Sequence, residues 1–358
     1  MSYKQRILTI ALALIAGAVL LLIFAYYTFE RPTVKWVQWG YRGTGMVHLV
    51  NTRTIDSPAV KALNAVPEPE DKIEPSGQKA VDAYQNVQVL KDIDSNDLLR
   101  QMTAFAKWVS PEQGCSYCHK DGANFAEDAL YTKVVARRMI QMTRHLNSDW
   151  KQHVAVNGVG VTCYTCHRGN PVPKNVWFTP VPPRSSQALL GNKAGQNRRA
   201  PEVGLTSLPY DPFTPFLVGD EQIRVMGPTA LPTTNRQSLK QAEWTYALMI
   251  AMSKGLGVNC TYCHNTQYFQ SWSGSTPQRV TSWYGIRMVR DINNNYINPL
   301  TPLYANVPGR KGPAGDLPKA FCGTCHQGAF KPLYGVSMLK DYPALAGPSP
   351  EKAAVRTQ

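Results

Sequence analysis

A single uninterrupted apolar run dominates the start of the chain. Residues 7–29 carry no charge and are bounded by Arg6 and Glu30. A helix over this run rises about 34 Å at 1.5 Å per residue, which spans a hydrocarbon core of about 30 Å. Tyr26 and Tyr27 stand at its far end, where membrane helices carry interfacial aromatic residues. The pattern predicts a transmembrane helix.

The charges beside this run predict its orientation. Lys4 and Arg6 precede it, so the positive-inside rule places the N-terminus in the cytoplasm and the remainder of the chain across the membrane. The alternative is a secretory signal cleaved after the Ala-Gly-Ala triplet at 16–18, which would leave most of the apolar run on the mature protein. We expect a retained anchor, and with either alternative the bulk of the chain is exported. No cysteine precedes Cys115, so lipidation through an N-terminal cysteine is excluded.

Four further segments have helical patterns. Segment 97–109 is apolar at 98, 102, 105 and 109 and is followed by Pro111, which ends a helix. The other three segments are 128–146, 239–256 and 282–292. With 27 Pro and 26 Gly in 358 residues, the expected fold is mainly α with much irregular structure.

The eight cysteines form four pairs, and each pair is followed by a histidine. The motifs are Cys115-Ser-Tyr-Cys118-His119, Cys163-Tyr-Thr-Cys166-His167, Cys260-Thr-Tyr-Cys263-His264 and Cys322-Gly-Thr-Cys325-His326. Each is C-x-x-C-H, the attachment motif of c-type haem. The two thiols bond to the two vinyl carbons of one haem, and the next imidazole becomes the proximal iron ligand. Zinc sites, disulfides and redox dithiols are the alternatives for one pair, but four identical motifs with no cysteine left over predict four covalently bound c-type haems.

The histidine count limits the sixth ligands of these irons. The chain has seven histidines, and only His48, His145 and His153 lie outside the motifs. Four bis-His haems are therefore impossible, and methionine is the natural alternative, with a higher reduction potential. The candidate methionines are Met102 in the first helical segment, Met139 and Met142 in the second, Met249 and Met252 in the third, and Met288 in the fourth. Residues three apart share a helical face, so spacing leaves both choices within the second and third segments open.

The motifs fall into two couples that resemble each other, which suggests an internal duplication with a pseudo-two-fold arrangement of haem pairs. The expected division is residues 1–30 as cytoplasmic tip and transmembrane anchor, 31–84 as an extended N-terminal segment, 85–170 as the first dihaem half, 171–234 as a Pro-rich connector, 235–335 as the second dihaem half and 336–358 as a C-terminal tail.

Segments well beyond the haem motifs resemble one known family, the tetrahaem cytochrome c subunits of purple-bacterial photosynthetic reaction centres. The segments that carry the resemblance are Gly40-Tyr-Arg-Gly43, Tyr84-Gln-Asn-Val-Gln-Val-Leu90, Val134-Val-Ala-Arg-Arg-Met139, Val161-Thr-Cys-Tyr-Thr-Cys-His-Arg168, Ser275-Thr-Pro-Gln-Arg279 and Gly285-Ile-Arg-Met-Val-Arg-Asp291. The resemblance covers nearly everything after the anchor. Some family members carry a lipidated cysteine at the N-terminus, and this chain departs from them there.

The resemblance implies three His/Met haems and one bis-His haem. Matched by residue, Met102 serves the first haem, Met139 the second and Met249 the third. His153 would reach across from the loop before the second motif to the fourth haem. Met288 takes the repeat-equivalent position and ranks second to His153 for that iron.

The function implied by the resemblance is electron transfer, with no enzymatic activity. The subunit would re-reduce the photo-oxidised bacteriochlorophyll special pair with electrons from a soluble periplasmic donor, a cytochrome c or a high-potential iron–sulfur protein. Its partners would be the L and M subunits, with H and light-harvesting 1 in the complex. It would lie in the bacterial inner (intracytoplasmic) membrane with the haems on the periplasmic side and residues 31–84 toward the reaction centre.

Two other functions compete with this interpretation. A membrane-anchored respiratory cytochrome that oxidises quinol has the same anchor and haem count, but it needs mostly histidine sixth ligands, which seven histidines cannot supply. A multihaem reductase needs an open iron with catalytic acids or bases beside it, and we identify no such set in the sequence. The net charge of +14 would otherwise suggest nucleic acid as a partner, but an exported haem protein does not meet it.

Overall fold

The computed structural model describes residues 2–29, 35–38, 47–50, 57–155, 158–181, 198–225, 238–265 and 267–347. The segment Gly40–Gly43 lies outside the described residues. So do parts of every predicted division, above all of 31–84, the connector 171–234 and the tail 336–358.

The described residues are mainly helical, with one two-stranded antiparallel sheet. The α-helices and strands are α1 (Tyr3–Thr28), β1 (Lys35–Gln38), β2 (Val47–Val50), α2 (Pro58–Leu63), α3 (Ala80–Ala83), α4 (Ser95–Val109), α5 (Tyr131–Asp149), α6 (Lys151–Val154), α7 (Cys163–His167), α8 (Thr214–Leu217), α9 (Leu239–Leu256), α10 (Pro277–Asp291) and α11 (Cys322–His326). A π-helical turn, Ile292–Ile297, follows α10. The expected fold, mainly α with irregular structure, is confirmed.

Helix α1 is the apolar N-terminal segment. It begins with a capping box between Ser2 and Gln5, and its mean hydropathy over an 18-residue window is 3.0. None of its residues is buried against the rest of the described chain. Among the described residues it alone is long and apolar enough to cross a membrane. The prediction of an apolar helix long enough to span a membrane is confirmed, and this helix is consistent with a membrane anchor.

The four predicted helical segments all form helices, and local signals set their ends. Asp94 caps α4 by accepting the backbone N–H of Asn96 at 2.9 Å. Ser238 caps α9, and Gly257 ends it in the left-handed conformation at φ +66°. Pro277 occupies the first position of α10, where its missing N–H costs nothing.

Two helix–motif pairs have the same hydrogen bond at the same place. Helix α4 packs against α7, and α9 packs against α11. Gly169, two residues after the histidine that ends α7, donates its N–H to the carbonyl of Trp108 at 2.7 Å. Gly328, two residues after the end of α11, donates to the carbonyl of Gly255 at 2.8 Å. Because the two bonds are equivalent, α4 is aligned with α7 in the same way as α9 is aligned with α11. We call this the matching register of α4 and α9.

Each pair has its own buried core. The core beside α4 contains Leu98, Ala104 and Trp108, with Met102 and Phe105 packed against it. The larger core lies between α9 and α10 and the segment around α8. Its buried residues include Leu248, Ala251, Met252, Phe216, Ile286, Met288 and Phe321.

Candidate haem-binding sites

The second and fourth motifs form short α-helices with matching local structure. In α7, the N–H of Thr162 donates to Oγ1 of Thr165 at 3.0 Å, and before α11 the N–H of Phe321 donates to Oγ1 of Thr324 at 3.0 Å. Each helix ends at a residue in the left-handed conformation directly after the motif histidine, which turns the chain sharply behind the imidazole. The repetition shows that the two motifs present their side chains in the same way.

These two motif helices also contact each other reciprocally. Arg168, which follows the second motif, donates a guanidinium N–H to the carbonyl of Cys325 at 2.7 Å. Gln327, which follows the fourth motif, donates its amide to the carbonyl of Cys166 at 3.3 Å. Each motif is therefore held by the residue that ends the other.

The first and third motifs adopt a different backbone, a 3₁₀ turn in each. The helix that follows is tied back to the turn by a threonine. Thr132 donates Oγ1–H to the carbonyl of Tyr117 at 2.5 Å, and Thr276 donates to the carbonyl of Tyr262 at 2.6 Å. The first cysteine of each of these motifs, Cys115 and Cys260, is exposed.

A cavity of about 430 Å³ lies between the second and fourth motifs. Its size falls within the range of cofactor pockets. Its lining includes both motifs and several predicted sixth ligands: Cys163, Cys166, His167, Cys322, Cys325, His326, Met139, Met142, His153, Met252 and Met288. Apolar side chains such as Val135, Leu146, Val289 and Ile292 complete the wall.

Three motif histidines have their imidazole orientation fixed by a backbone carbonyl. Nδ1 of His167 lies 2.9 Å from the carbonyl oxygen of Asn170, Nδ1 of His326 lies 2.9 Å from that of Ala329, and Nδ1 of His264 lies 3.2 Å from that of Phe269. A carbonyl only accepts, so Nδ1 carries the proton and Nε2 keeps its lone pair. Histidines that bind metals commonly donate their other ring N–H to a carbonyl in this way, which fixes the tautomer and the ring orientation.

Burial also favours the neutral imidazole that metal binding needs. Desolvation lowers the pKa of His167, and it lowers the pKa of His326 to about 4, with His153 nearby contributing to the second shift. Desolvation is the largest cause of the lowered pKa of His119 as well, whose ring lies 4.8 Å from that of Phe125. At neutral pH these rings are uncharged.

The structure brings His153 to the fourth motif. His153 lies on α6, and its Nδ1–H donates to the carbonyl of Thr281 on α10 at 2.9 Å. Its ring centroid is 6.2 Å from that of His326, with an interplanar angle of 63°. Two imidazole nitrogens bonded at about 2 Å to opposite sides of one metal ion would put the ring centroids about 6 Å apart. The observed separation fits that arrangement.

The other predicted ligands occupy different surroundings. Met139 and Met142 both line the cavity, so the cavity lining does not distinguish between them as ligands of the second iron. Met252 lines the cavity and is buried, whereas Met249 is partly buried against the core and is not among the residues that line the cavity. Met102 lies partly buried in the core beside α4.

His145 and His48 were the remaining histidines in the sequence. Both ring nitrogens of His145 are occupied by carboxylates, with Nδ1 at 2.8 Å from Asp149 and Nε2 at 2.6 Å from Asp291. Neither nitrogen is left for an iron. His48 lies in strand β2.

The second cysteines of the second and fourth motifs lie close together. Cys166 and Cys325 are joined by a disulfide, whereas the motifs predict a thioether bond to haem for each sulfur. The physical reason for the pairing is the close contact of α7 and α11, whose cysteine Cα atoms lie 4.4 Å apart. One sulfur cannot make both bonds, so the two states of these cysteines exclude each other.

Sequence reasoning did not identify Gly285 as part of the site. A Cβ at this position would lie 2.5 Å from Cε1 and 2.8 Å from Nδ1 of His153, so only glycine admits the ring there. The one signal in the sequence was that Gly285 opens a segment that carries the family resemblance.

The donor set and the cavity together fit c-type haem. The cysteine pairs of the second and fourth motifs line an apolar cavity, and each pair is followed by an imidazole whose Nδ1 is tied to a carbonyl. This combination defines the class as a c-type cytochrome, an electron carrier.

Comparison with known proteins identifies the family. The family model "Photosynthetic reaction centre cytochrome C subunit" matches residues 30–346. The chain is 52% identical to the photosynthetic reaction center cytochrome c subunit of Rubrivivax gelatinosus over 99% of this chain and 93% of that protein. It is 48% identical to that of Thermochromatium tepidum over 96% and 82%, and 41% identical to that of Roseobacter denitrificans over 87% and 85%. The chain belongs to the photosynthetic reaction centre cytochrome c subunit family.

Membership of this family establishes the general function of the chain. The resemblance stated from the sequence is confirmed, and so are the electron-transfer role and the absence of an enzymatic role. A cytochrome c family also implies covalently bound haem.

Proposed function

We propose that the chain binds four c-type haems and passes electrons from a soluble periplasmic donor to the photo-oxidised special pair of a reaction centre. When bound, each haem supplies a one-electron Fe(II)/Fe(III) couple. The observation that carries the proposal is the placing of His153 opposite His326 across the cavity between the second and fourth motifs. It gives the one predicted bis-His iron a ligand pair of suitable separation.

The covalent attachment uses all eight cysteines. Cys115 and Cys118, Cys163 and Cys166, Cys260 and Cys263, and Cys322 and Cys325 would each hold one haem through two thioethers. The common fifth residue of the motifs supports thioethers over the disulfide between Cys166 and Cys325, because a disulfide across two motifs leaves the following histidines unexplained. The proximal ligands would be His119, His167, His264 and His326.

The geometry favours His153 over Met288 for the fourth iron. The Nδ1–H of His153 is donated to Thr281, so its Nε2 is free, as it is in His326. Met288 is buried in the core and lines the same cavity one helical turn after Gly285. It can fill space beside the imidazole without being a ligand, which is the ordinary role of a core methionine.

The matching register of α4 and α9 favours Met249 over Met252 for the third iron. The carbonyl of Trp108 and that of Gly255 accept equivalent bonds, and Met102 and Met249 each stand six residues before them. Met249 is thus the counterpart of Met102, the proposed first-haem ligand. Met139 is the proposed ligand of the second iron on the family resemblance.

The reciprocal contacts of α7 and α11 support a pseudo-two-fold arrangement of two dihaem halves. Arg168 and Gln327 exchange equivalent bonds with the opposite motif, as expected for two units related by a local two-fold axis. The proposed halves are 85–170 and 235–335, joined by the connector 171–234.

The assembly we propose follows from the family and from α1. Helix α1 would anchor the chain in the bacterial inner membrane with Lys4 and Arg6 on the cytoplasmic side and the haems in the periplasm. The haem-bearing part would sit on the L and M subunits, with H and light-harvesting 1 in the same complex. A cytochrome c or a high-potential iron–sulfur protein would supply the electrons by transient docking.

Flash spectroscopy of membranes that contain the full complex tests the proposal. We expect haem oxidation to follow a light flash as the special pair is re-reduced, with four haems per subunit in a redox titration. Three should titrate at raised potential and one at a lower potential. Haem reduction by quinol in the dark, with no oxidation after a flash, would instead indicate the respiratory alternative.

A further inference from the structure

Helix α6, which carries His153, is only four residues long. A single helical turn is not stable by itself, since nucleation costs more than one turn of hydrogen bonds returns. The direction of the His153 imidazole therefore depends on contacts with other elements. Helix α6 packs on α10, and that contact contains two side-chain hydrogen bonds.

The two hydrogen bonds lie far apart on α10. His153 donates Nδ1–H to the carbonyl of Thr281 at 2.9 Å, and Trp150 donates Nε1–H to Oδ2 of Asp291 at 2.7 Å. Thr281 and Asp291 are separated by about 15 Å along the helix axis. The bond from the imidazole fixes one point of the contact between α6 and α10. The second bond, from the residue just before α6, fixes its direction.

Asp291 is itself held by a partly buried network. Its Oδ2 lies 2.6 Å from Nε2 of His145, and its Oδ1 accepts the amide of Asn295 at 2.6 Å. Burial would raise the pKa of Asp291, but the hydrogen bonds from His145, Asn295 and Trp150 outweigh it and lower the pKa. The carboxylate is therefore ionised and a strong acceptor for Trp150.

The far side of the network is anchored in α5. His145 is 3% exposed and stacks on Tyr296 with centroids 5.3 Å apart, and Asp149 accepts its other ring nitrogen at 2.8 Å. Helix α5 also carries Met139 and Met142 on the cavity wall. The network thus joins α5, the helix before α6, to α10, the helix that accepts the hydrogen bond of His153.

We infer that Asp291, supported by His145, is a positioning residue for His153: through Trp150 it fixes α6 so that the His153 imidazole stays opposite His326. The inference rests on the proposed function, in which His153 is the axial ligand of the fourth haem. Asp291 and His145 act through Trp150 and do not touch the iron themselves.

Two variants of the full chain, studied in the membrane complex, test the inference. Trp150→Phe removes the indole N–H that Asp291 accepts, together with part of the ring, and Asp291→Asn keeps the shape and removes the charge. Both should shift the g-values of the bis-imidazole EPR signal and the midpoint potential of that haem, while the other three haems keep theirs. Trp283→Phe is the matched control, since it lies on the same helix α10 with a 41% exposed ring. It should change neither quantity.

A reference variant separates this inference from the ligand assignment. His153→Ala should abolish the bis-imidazole signal, and its persistence would contradict the proposed function. If His153→Ala abolishes the signal while Trp150→Phe and Asp291→Asn leave both the signal and the potential unchanged, the positioning role alone is wrong. Lower thermal stability in these two variants without an EPR shift would likewise overturn it, because that is the result of a purely structural role.

Discussion

The imidazole of His153 rests directly on the backbone of Gly285, with its Cε1 2.5 Å from where a Cβ would be. Gly285 lies on α10 one turn before Met288. The residue that the imidazole contacts and the alternative methionine ligand of the fourth iron therefore share one helix face. The smallest residue at one position thus decides whether histidine can reach the cavity.

Gly285→Ala tests whether the position of the His153 imidazole requires glycine at residue 285. The added methyl group forces the ring of His153 away from α10 and strains its bond to Thr281, so we expect loss or a shift of the bis-imidazole EPR signal. The crowding should also lower the free energy of unfolding by about 1–3 kcal/mol. Gly17→Ala, where a Cβ meets nothing within 4 Å, is the control. An unaltered signal in Gly285→Ala would exclude His153 as a ligand held against this helix.

Replacing each methionine of α5 separately distinguishes Met139 from Met142. Both line the cavity, and leucine keeps most of the volume while removing the sulfur ligand. We expect Met139→Leu to turn the second haem high-spin and lower its potential, since the thioether that stabilises Fe(II) is gone. Met142→Leu should leave all four potentials in place. If instead Met142→Leu changes the second haem and Met139→Leu does not, Met142 is the ligand.

The state of Cys166 and Cys325 can be read from the denatured protein. If both sulfurs form thioethers, haem stays on the chain under reducing and denaturing conditions, and the intact mass equals the chain plus four haems. Cys166→Ala and Cys325→Ala should each weaken the attachment of one haem and leave the other three. Two thiols released by reductant, with two of the haems held by no more than one thioether each, would establish the disulfide instead.

The ion pair between Asp316 and Lys319 predicts a pH-dependent contribution to stability. The Lys319 side chain is 4% exposed, and Asp316 also accepts the N–H of Thr179 at 2.7 Å. Burial would raise the pKa of Asp316, but the bonds from Lys319 and Thr179 lower it. Because the pKa is lower in the folded state, this stabilisation is complete above the unfolded value of about 3.9 and is lost as the pH falls through the folded pKa.

Asp316→Asn should therefore cost about 3 kcal/mol at pH 7, because it leaves a buried lysine without its counter-charge. The difference from the unaltered protein should shrink below about pH 4. Thermal unfolding of the haem-loaded protein across this pH range measures both effects. The exposed Asp121→Asn is a control that should show neither. A difference that stays constant down to pH 2 would contradict the ionic origin.

Helix α1 can be tested by replacement. Exchanging residues 1–29 for a cleavable secretion signal should release a haem-loaded protein into the soluble periplasmic fraction, since none of the residues of α1 is buried against the rest of the described chain. The spectrum and the midpoint potentials should remain those of the anchored form. Retention in the membrane without α1 and without reaction-centre subunits would show that another segment binds lipid.

The sequence alone determined the features that depend on local spacing. Two thiols, two intervening residues and an imidazole are enough to predict covalent haem, and a charge-free run of this length is enough to predict a spanning helix. Helical periodicity placed α4, α5, α9 and α10 to within a few residues of their observed ends. The histidine count alone required methionine on some of the irons.

The tertiary structure decided which distant side chains meet. Nothing in the spacing indicates that His153 lies opposite His326, that both nitrogens of His145 are taken by Asp149 and Asp291, or that Gly285 is the seat of an imidazole. Apart from the contact between His145 and Asp149, which are four positions apart, these relations join residues more than a hundred positions apart, through the packing of α6 on α10 and of α7 on α11. Local patterns fix what each segment can bind, because attachment chemistry needs only neighbours in sequence. The partner across the cavity is chosen by how helices pack, and packing depends on the whole chain.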